Sequence, residues 1–208
     1  MKSDISNSEI QEIVHRVVES TLDLHTTHLK NSAVQEFSEQ SEATMPIDLS
    51  DQAKKTVAIG TDHGGVDLKV ILIAELIESG YEVIDCGTHT KESVDYPDIA
   101  LDVAKHVVKG EAWRGVIIDG AGIGSCMAAN KVPGIRAAMC YNYASAVNSR
   151  EHNDANVLTL GAGLIGINLA KLILKTWLTT EFGGGRHARR VDKITAIGQN
   201  FYKDGKAV

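Results

Sequence analysis

The chain has 208 residues, 43% of them hydrophobic, and a formal net charge of −6, which is enough to bury one good core with length left for a small appendage. The charge is uneven: residues 1–53 carry three Lys/Arg and ten Asp/Glu, whereas residues 54–208 carry eighteen and seventeen. An acidic front and a near-neutral body leave no basic footprint for nucleic acid, and no apolar run approaches the roughly 18 residues of a membrane span.

The N-terminus is polar, with Asp4 and Glu9, and Cys86, Cys126 and Cys140 form an odd set without CxxC spacing. A cytoplasmic chain with free thiols is expected. Residues 8–24 place Ile10, Ile13, Val14, Val17, Val18 and Leu22 on one helical face, opened by Ser8 and Gln11 as a capping box. Glu9, Glu12 and Glu19 on the polar face argue against anionic lipid. From His25 to Lys54 the period lapses into Ser, Thr, Glu and Gln with Pro46, which reads as a tether or a short second helix over 29–38. The expected organisation is an N-terminal amphipathic helix and acidic linker over 1–54 and a catalytic domain over 55–208.

From Lys55 onward short β-branched runs alternate with helical ones. Strands are predicted at Thr56–Ile59, Glu82–Asp85, Gly115–Ile118, Ile135–Met139 and Asn156–Leu160, with helices over 64–79, 96–109, 125–131, 142–150 and 166–180. This pattern implies a Rossmann-like α/β fold of three layers, α/β/α, around a five-stranded, mostly parallel sheet. Ligands collect beyond the carboxyl ends of such strands. That rim collects Asp62 and His63, Cys86 to His89, Asp119 to Gly124, Cys140 to Asn142 and Gly161 to Gly163, and the polar segment around His152 is read as rim as well.

The richest segment is Asp119-Gly-Ala-Gly-Ile-Gly124, which follows the apolar run Gly115–Ile118. A carboxylate at a strand end beside a bed of amides suits proton abstraction from carbon, with the amides receiving the oxyanion. Desolvation in a closed pocket makes a carboxylate more basic. The competing reading is that Asp119 caps the following helix and binds its own loop, which spoils it as a base. Cys126 is a rival base that also reads as a packing residue. Gly161-Ala-Gly-Leu-Ile-Gly166 matches GxGxxG but sits on the last strand, where a close helix–sheet turn is the better account and no cofactor is expected. His63, His152 and Asp62 show no compact ligand spacing, so no metal is expected. His152 suits acid–base work because imidazole titrates near neutrality. Arg186, His187, Arg189 and Arg190 follow the glycine run 183–185 and read either as a phosphate set or as a solvated basic helix, with Arg186 and Arg190 sharing a face at i,i+4.

Taken together, Ile59–His63, Val83–Thr88, Asp95-Tyr-Pro97, Gly120 to Gly124, Ala128–Lys131, Gly134-Ile-Arg136, Arg150–Asp154 with Asn156-Val157, and Gly184–His187 with Arg190 resemble the sugar-phosphate isomerase family that includes ribose-5-phosphate isomerase type B and the galactose-6-phosphate isomerase subunits. The resemblance implies metal-independent aldose–ketose isomerisation of a small sugar phosphate through an enediolate, with ribose 5-phosphate as the default substrate. It implies a homodimer or a dimer of dimers in which each site borrows residues from its neighbour. It assigns Asp62 and His63 to the sugar and phosphate and Tyr96 to the substrate's side. The amides of Gly120, Gly122 and Gly124 are assigned to the enediolate oxygen, His152 with Asn153 to ring opening, and Arg186, His187 and Arg190 to phosphate. Beside this set, Arg136 is read as a further group for phosphate or for the partner-subunit contact.

The chain departs from that pattern twice. Asp119 stands where the family has a Cys, with Ser125 where another branch has a Glu, and Ala121 stands where a Thr or Ser hydroxyl is usual. These changes leave room for a short or open-chain substrate, or for a regulatory sugar-phosphate-binding protein without turnover. The N-terminal helix on its tether is similar to encapsulation peptides of bacterial microcompartments. That likeness implies a shell or cargo contact through residues 8–24 and a location inside such a compartment; packing on the body or an oligomer contact is the alternative.

Overall fold

A computed structural model describes residues 55–202; the helices expected over 8–24 and 29–38 and the tether lie outside the described residues. Strand and helix alternate as β1 Thr56–Thr61, α1 Val66–Glu78, β2 Glu82–Asp85, α2 Tyr96–Val108, β3 Arg114–Asp119, α3 Ile123–Ala129, β4 Ala137–Met139, α4 Tyr143–Glu151, β5 Val157–Gly161, α5 Ile167–Thr179 and α6 Ala188–Tyr202. The strands are ordered β2-β1-β3-β5-β4 and every pair is parallel.

Side-chain alternation along the strands builds the layers. Val116 and Ile118 of β3 join one core with Leu68, Leu72 and Leu76 of α1 and Ala170, Ile173, Leu174 and Trp177 of α5. Ile117 between them joins a second core with Ala100, Val103 and Ala104 of α2 and Ala129 of α3. A central strand covered on both faces must be apolar at every position, which is what the run 115–118 displays. Arg114 anchors the start of this strand: it is buried, stacks 3.9 Å from the Trp113 ring, and donates to the carbonyls of Trp177 at 2.8 Å and Leu178 at 2.9 Å. Burial, and then the nearby Arg150, holds its pKa down to about 10, so it stays charged at neutral pH. Among the described residues no helix is long and apolar enough to cross a membrane.

Of the boundaries that differ from expectation, two have a local reason in the hydrogen bonds and dihedral angles. β4 has three residues because Ile135 N–H turns back to the Val132 carbonyl at 3.1 Å and Arg136 N–H is taken by Asn156 Oδ1 at 2.8 Å. α3 starts two residues early because Gly122, at φ 79, serves as its N-cap.

The glycines after β5 act as spacers. A Cβ on Gly161 would stand 2.6 Å from the Ala121 oxygen, and one on Gly163 would stand 3.0 Å from the Gly120 oxygen. The GxGxxG segment is therefore the surface on which the β3 loop rests. Gly161→Ala is expected to destabilise the fold by about 1–3 kcal/mol through overpacking. Urea unfolding measures this, and unchanged stability would contradict the close approach.

Candidate active site

β3 delivers Asp119 to the carboxyl edge of the sheet, and its carboxylate turns into the chain that follows. Oδ1 accepts the N–H of Ala121 at 2.8 Å and that of Gly122; Oδ2 accepts the N–H of Ser125 at 3.0 Å and the Ser125 hydroxyl. Asp119 is 4% exposed and Ser125 fully buried. Four donors fill the acceptor sites of a carboxylate. The geometry is that of the cap, and the expectation of an acid standing open over substrate carbon is corrected: the oxygens that would take the proton already hold the loop.

The same clamp redistributes the amides. Gly122 needs its left-handed φ of 79, and its carbonyl accepts the Thr159 hydroxyl at 2.8 Å. Its N–H, expected among the enediolate donors, is spent on Asp119. The amides of Gly120 and Gly124 are not claimed by the carboxylate, and Gly124 lies in the first turn of α3, where N–H groups have no helical partner.

Around this loop the fold gathers several expected residues. Asp62 directly follows β1 at 8% exposure; Oδ1 accepts the Gly64 N–H at 2.9 Å, and among the described residues no hydrogen bond engages Oδ2. The Asp62 turn lies against the β3 loop, since a Cβ on Gly64 would stand 3.3 Å from Asp62 Oδ1 and 3.8 Å from Gly120 N. His63 is exposed, and its Nδ1 accepts the Val94 N–H at 3.3 Å. Tyr96 opens α2 and covers Gly124 so closely that a Cβ there would stand 2.5 Å from the ring and 2.8 Å from its hydroxyl.

The other expected residues sit elsewhere. α4 runs back from the carboxyl edge, so His152 at its C-cap and Asn153 lie with the amino ends of the strands. A strand of five or six residues separates the two edges by roughly 15–20 Å, and the reading of His152 as a residue of the same rim is corrected. At this second edge the rings of His152 and His187 stack at 4.1 Å. His152 Nδ1 lies 2.8 Å from Asn148 Nδ2, and Asn153 donates to the Asn148 carbonyl at 3.1 Å. The Gly183 N–H, bonded to the Glu151 carbonyl at 2.9 Å, seats the glycine run beside α4. Desolvation, followed by the charges of His152, Arg186 and Arg190, holds His187 below the usual imidazole range.

Arg186 and Arg190 are both exposed, but α6 begins only at Ala188. The expected i,i+4 helical pairing is therefore replaced by a turn closed from His187 N–H to the Gly184 carbonyl at 2.9 Å. Arg136 is committed to structure: its guanidinium donates to the Asp154 carbonyl at 2.9 Å and to Asp154 Oδ2 at 2.7 Å. The side chain expected at phosphate or at a partner subunit is turned to Asp154 in this structure. Asp154, at φ 47, also accepts from Arg150 at 2.8 Å. None of the thiols is poised as a base. Burial pushes Cys126 and Cys140 up and Cys86 to about 12, and Cys126 Sγ is turned toward the Ala137 carbonyl at 3.4 Å.

Sequence reading missed Ser125 as the partner of Asp119, Asn148 as the residue orienting His152, and Tyr141, whose hydroxyl donates to the Ala121 carbonyl at 3.3 Å. Asn148 had a signal, four residues before His152 on one helix face. The other two contacts join separate segments.

A family model described as Ribose/Galactose Isomerase matches residues 57–194. The chain is 49% identical over 145 residues to ribose-5-phosphate isomerase B of Escherichia coli (strain K12), covering 70% of this chain and 97% of that protein. It is 44% identical over 140 residues to D-erythrulose-4-phosphate isomerase of Pectobacterium atrosepticum, covering 67% of this chain and 92% of that protein. The solved structure of Clostridium thermocellum ribose-5-phosphate isomerase B superposes with a TM-score of 0.69 at 55% identity, covering 70% of this chain and 99% of that one.

If Asp119 clamps the loop, Asp119→Asn puts an N–H against at least one of four donors, and stability should fall by about 1–3 kcal/mol. Ser125→Ala removes a single donor and should cost about 0.5–1.5 kcal/mol. Denaturant titration of both variants gives the ranking, and the reverse order would remove the clamp.

Proposed function

The chain belongs to the ribose/galactose isomerase family of sugar-phosphate isomerases, and from that premise we propose how this enzyme works. It interconverts an aldose phosphate and its ketose by proton transfer between adjacent carbons, with ribose 5-phosphate and ribulose 5-phosphate as the default pair. The carrying observation is the juxtaposition of Asp62, with one oxygen unengaged, against a glycine loop whose Gly120 and Gly124 amides are left open by Asp119. Asp62 takes the proton from C2 and returns it to C1. The two amides receive the negative charge on the enediolate oxygen, doing electrostatically what a Lewis acid would do. Asp119 serves as a positioning residue, and Tyr96 shields the site over Gly124.

His152, Asn153, Arg186, His187 and Arg190 lie at the opposite edge, too far to reach the same sugar within one protomer. This supports a homodimer in which the partner's amino edge brings ring-opening and phosphate-binding groups to each carboxyl edge. A second substrate has support from Ala121, which lacks the usual hydroxyl, and from the similarity to a D-erythrulose-4-phosphate isomerase. A four-carbon sugar phosphorylated at O4 cannot close a furanose ring and needs no ring opening. The relatives are covered almost end to end by about 70% of this chain. Residues 1–54 are thus an addition to an otherwise complete isomerase, in keeping with a microcompartment docking role for residues 8–24.

Two measurements test this reading. In heavy water the native enzyme should exchange the C2 proton of ribose 5-phosphate, whereas Asp62→Asn should lose that exchange by about 10²-fold or more; full exchange in Asp62→Asn would exclude Asp62 as the base. Mixed and reassembled Asp62→Asn and His152→Ala chains, each inactive alone, should regain activity as about a quarter of the sites become intact in random dimers. Failure to complement would place both groups in one protomer's site or remove His152 from the reaction.

A further inference from the structure

We propose that Cys86, Asp102 and His106 form a binding site for a borderline-soft divalent transition cation, best matched by zinc, separate from the sugar-phosphate site. One ligand atom from each of the three lies within 4.8 Å of the others. Around tetrahedral zinc, with bonds of about 2.0–2.3 Å, ligand atoms stand about 3.3–3.7 Å apart. The observed separations exceed those values by about an ångström at most, so binding requires the side chains to draw together.

The fold holds these residues in place. Asp102 and His106 stand one turn apart on α2 and share its face. Cys86 follows β2 directly and belongs to the same packed cluster as Ala100, Val103 and Ala104 of α2. His106 is already oriented: Glu111 Oε2 lies 2.6 Å from its Nδ1, which leaves Nε2 as the nitrogen free to ligate. A carboxylate on the far nitrogen of a ligating His is the usual support of a zinc centre.

Charge and softness select the ion. Asp85 is neutralised by its pair with Lys69; a bound cation would displace the proton that burial keeps on Cys86, and the resulting thiolate with the Asp102 carboxylate supplies about two negative charges, which matches a divalent cation. A thiolate with an imidazole disfavours magnesium and calcium, which prefer oxygen ligands. Cys86 is 9% exposed and the His106 side chain 27%. The trio therefore opens on one side, leaving a fourth position for water. Occupancy would fasten the end of β2 to α2, whose first residue, Tyr96, covers Gly124.

The test uses the untagged full-length chain, reduced and titrated anaerobically with cobalt(II). A thiolate-to-cobalt charge-transfer band should saturate at one equivalent and be displaced by zinc. Cys86→Ser should abolish the band, whereas Cys126→Ser should keep it. Glu111→Gln should weaken zinc binding by about 10-fold or more. Circular dichroism and basal isomerase activity of Cys86→Ser, both expected unchanged, establish that the variant is folded. A band that survives Cys86→Ser, a band lost equally in Cys126→Ser, or cobalt binding without a thiolate band would overturn the site. Because the readout is spectroscopic, its failure leaves the isomerase reading untouched.

Discussion

The clamp between the Asp119 carboxylate and the chain that follows it sets the working edge of this protein. A buried strand end must satisfy the amides of the tight turn beyond it, and here one side chain accepts from Ala121, Gly122 and Ser125 at once. The clamp fixes the left-handed turn at Gly122, starts α3 two residues early and leaves Gly120 and Gly124 as the open donors of the loop. A group so engaged is worth more as a frame than as a base. Asp62, just beyond the neighbouring strand end with an oxygen unengaged, is for that reason the carboxylate given the proton-transfer role in the proposed reaction.

Parallel topology imposes the second constraint. Each strand ends at one edge and each helix returns to the other, so residues at strand ends and residues at helix ends are separated by the full depth of the sheet. Asp62, Tyr96 and the glycine loop fall on one side; His152, Asn153 and the Arg186 turn fall on the other. Both sets carry side chains suited to a sugar phosphate, and it is this separation that motivates the proposed homodimer. At the amino edge Asp154 holds Arg136 and Arg150 as structural cations, which leaves Arg186 and Arg190 as exposed positive groups beside the stacked imidazoles.

The Cys86, Asp102 and His106 cluster and the β3 loop are both in contact with α2. Its head covers Gly124 with Tyr96, and its middle carries Asp102 and His106 beside Cys86. A helix held at both points has less freedom to swing away from the loop.

The sequence by itself determined the layers. Apolar runs such as 115–118 and the helical period of α1, α2 and α5 are local patterns, and they specify a buried parallel sheet with helices on both faces. It also determined which segments carry chemistry, since strand ends followed by Asp, Gly and His are visible without coordinates. Only the tertiary structure decided which of those groups share a space. Whether Asp119 faces substrate or its own loop depends on a turn whose dihedral angles no residue pattern specifies, and Ser125 and Tyr141 meet the β3 loop through contacts that exist only in the folded chain. The edge on which His152 lies follows from chain direction through α4, a property of topology that its polar neighbours in the sequence do not encode.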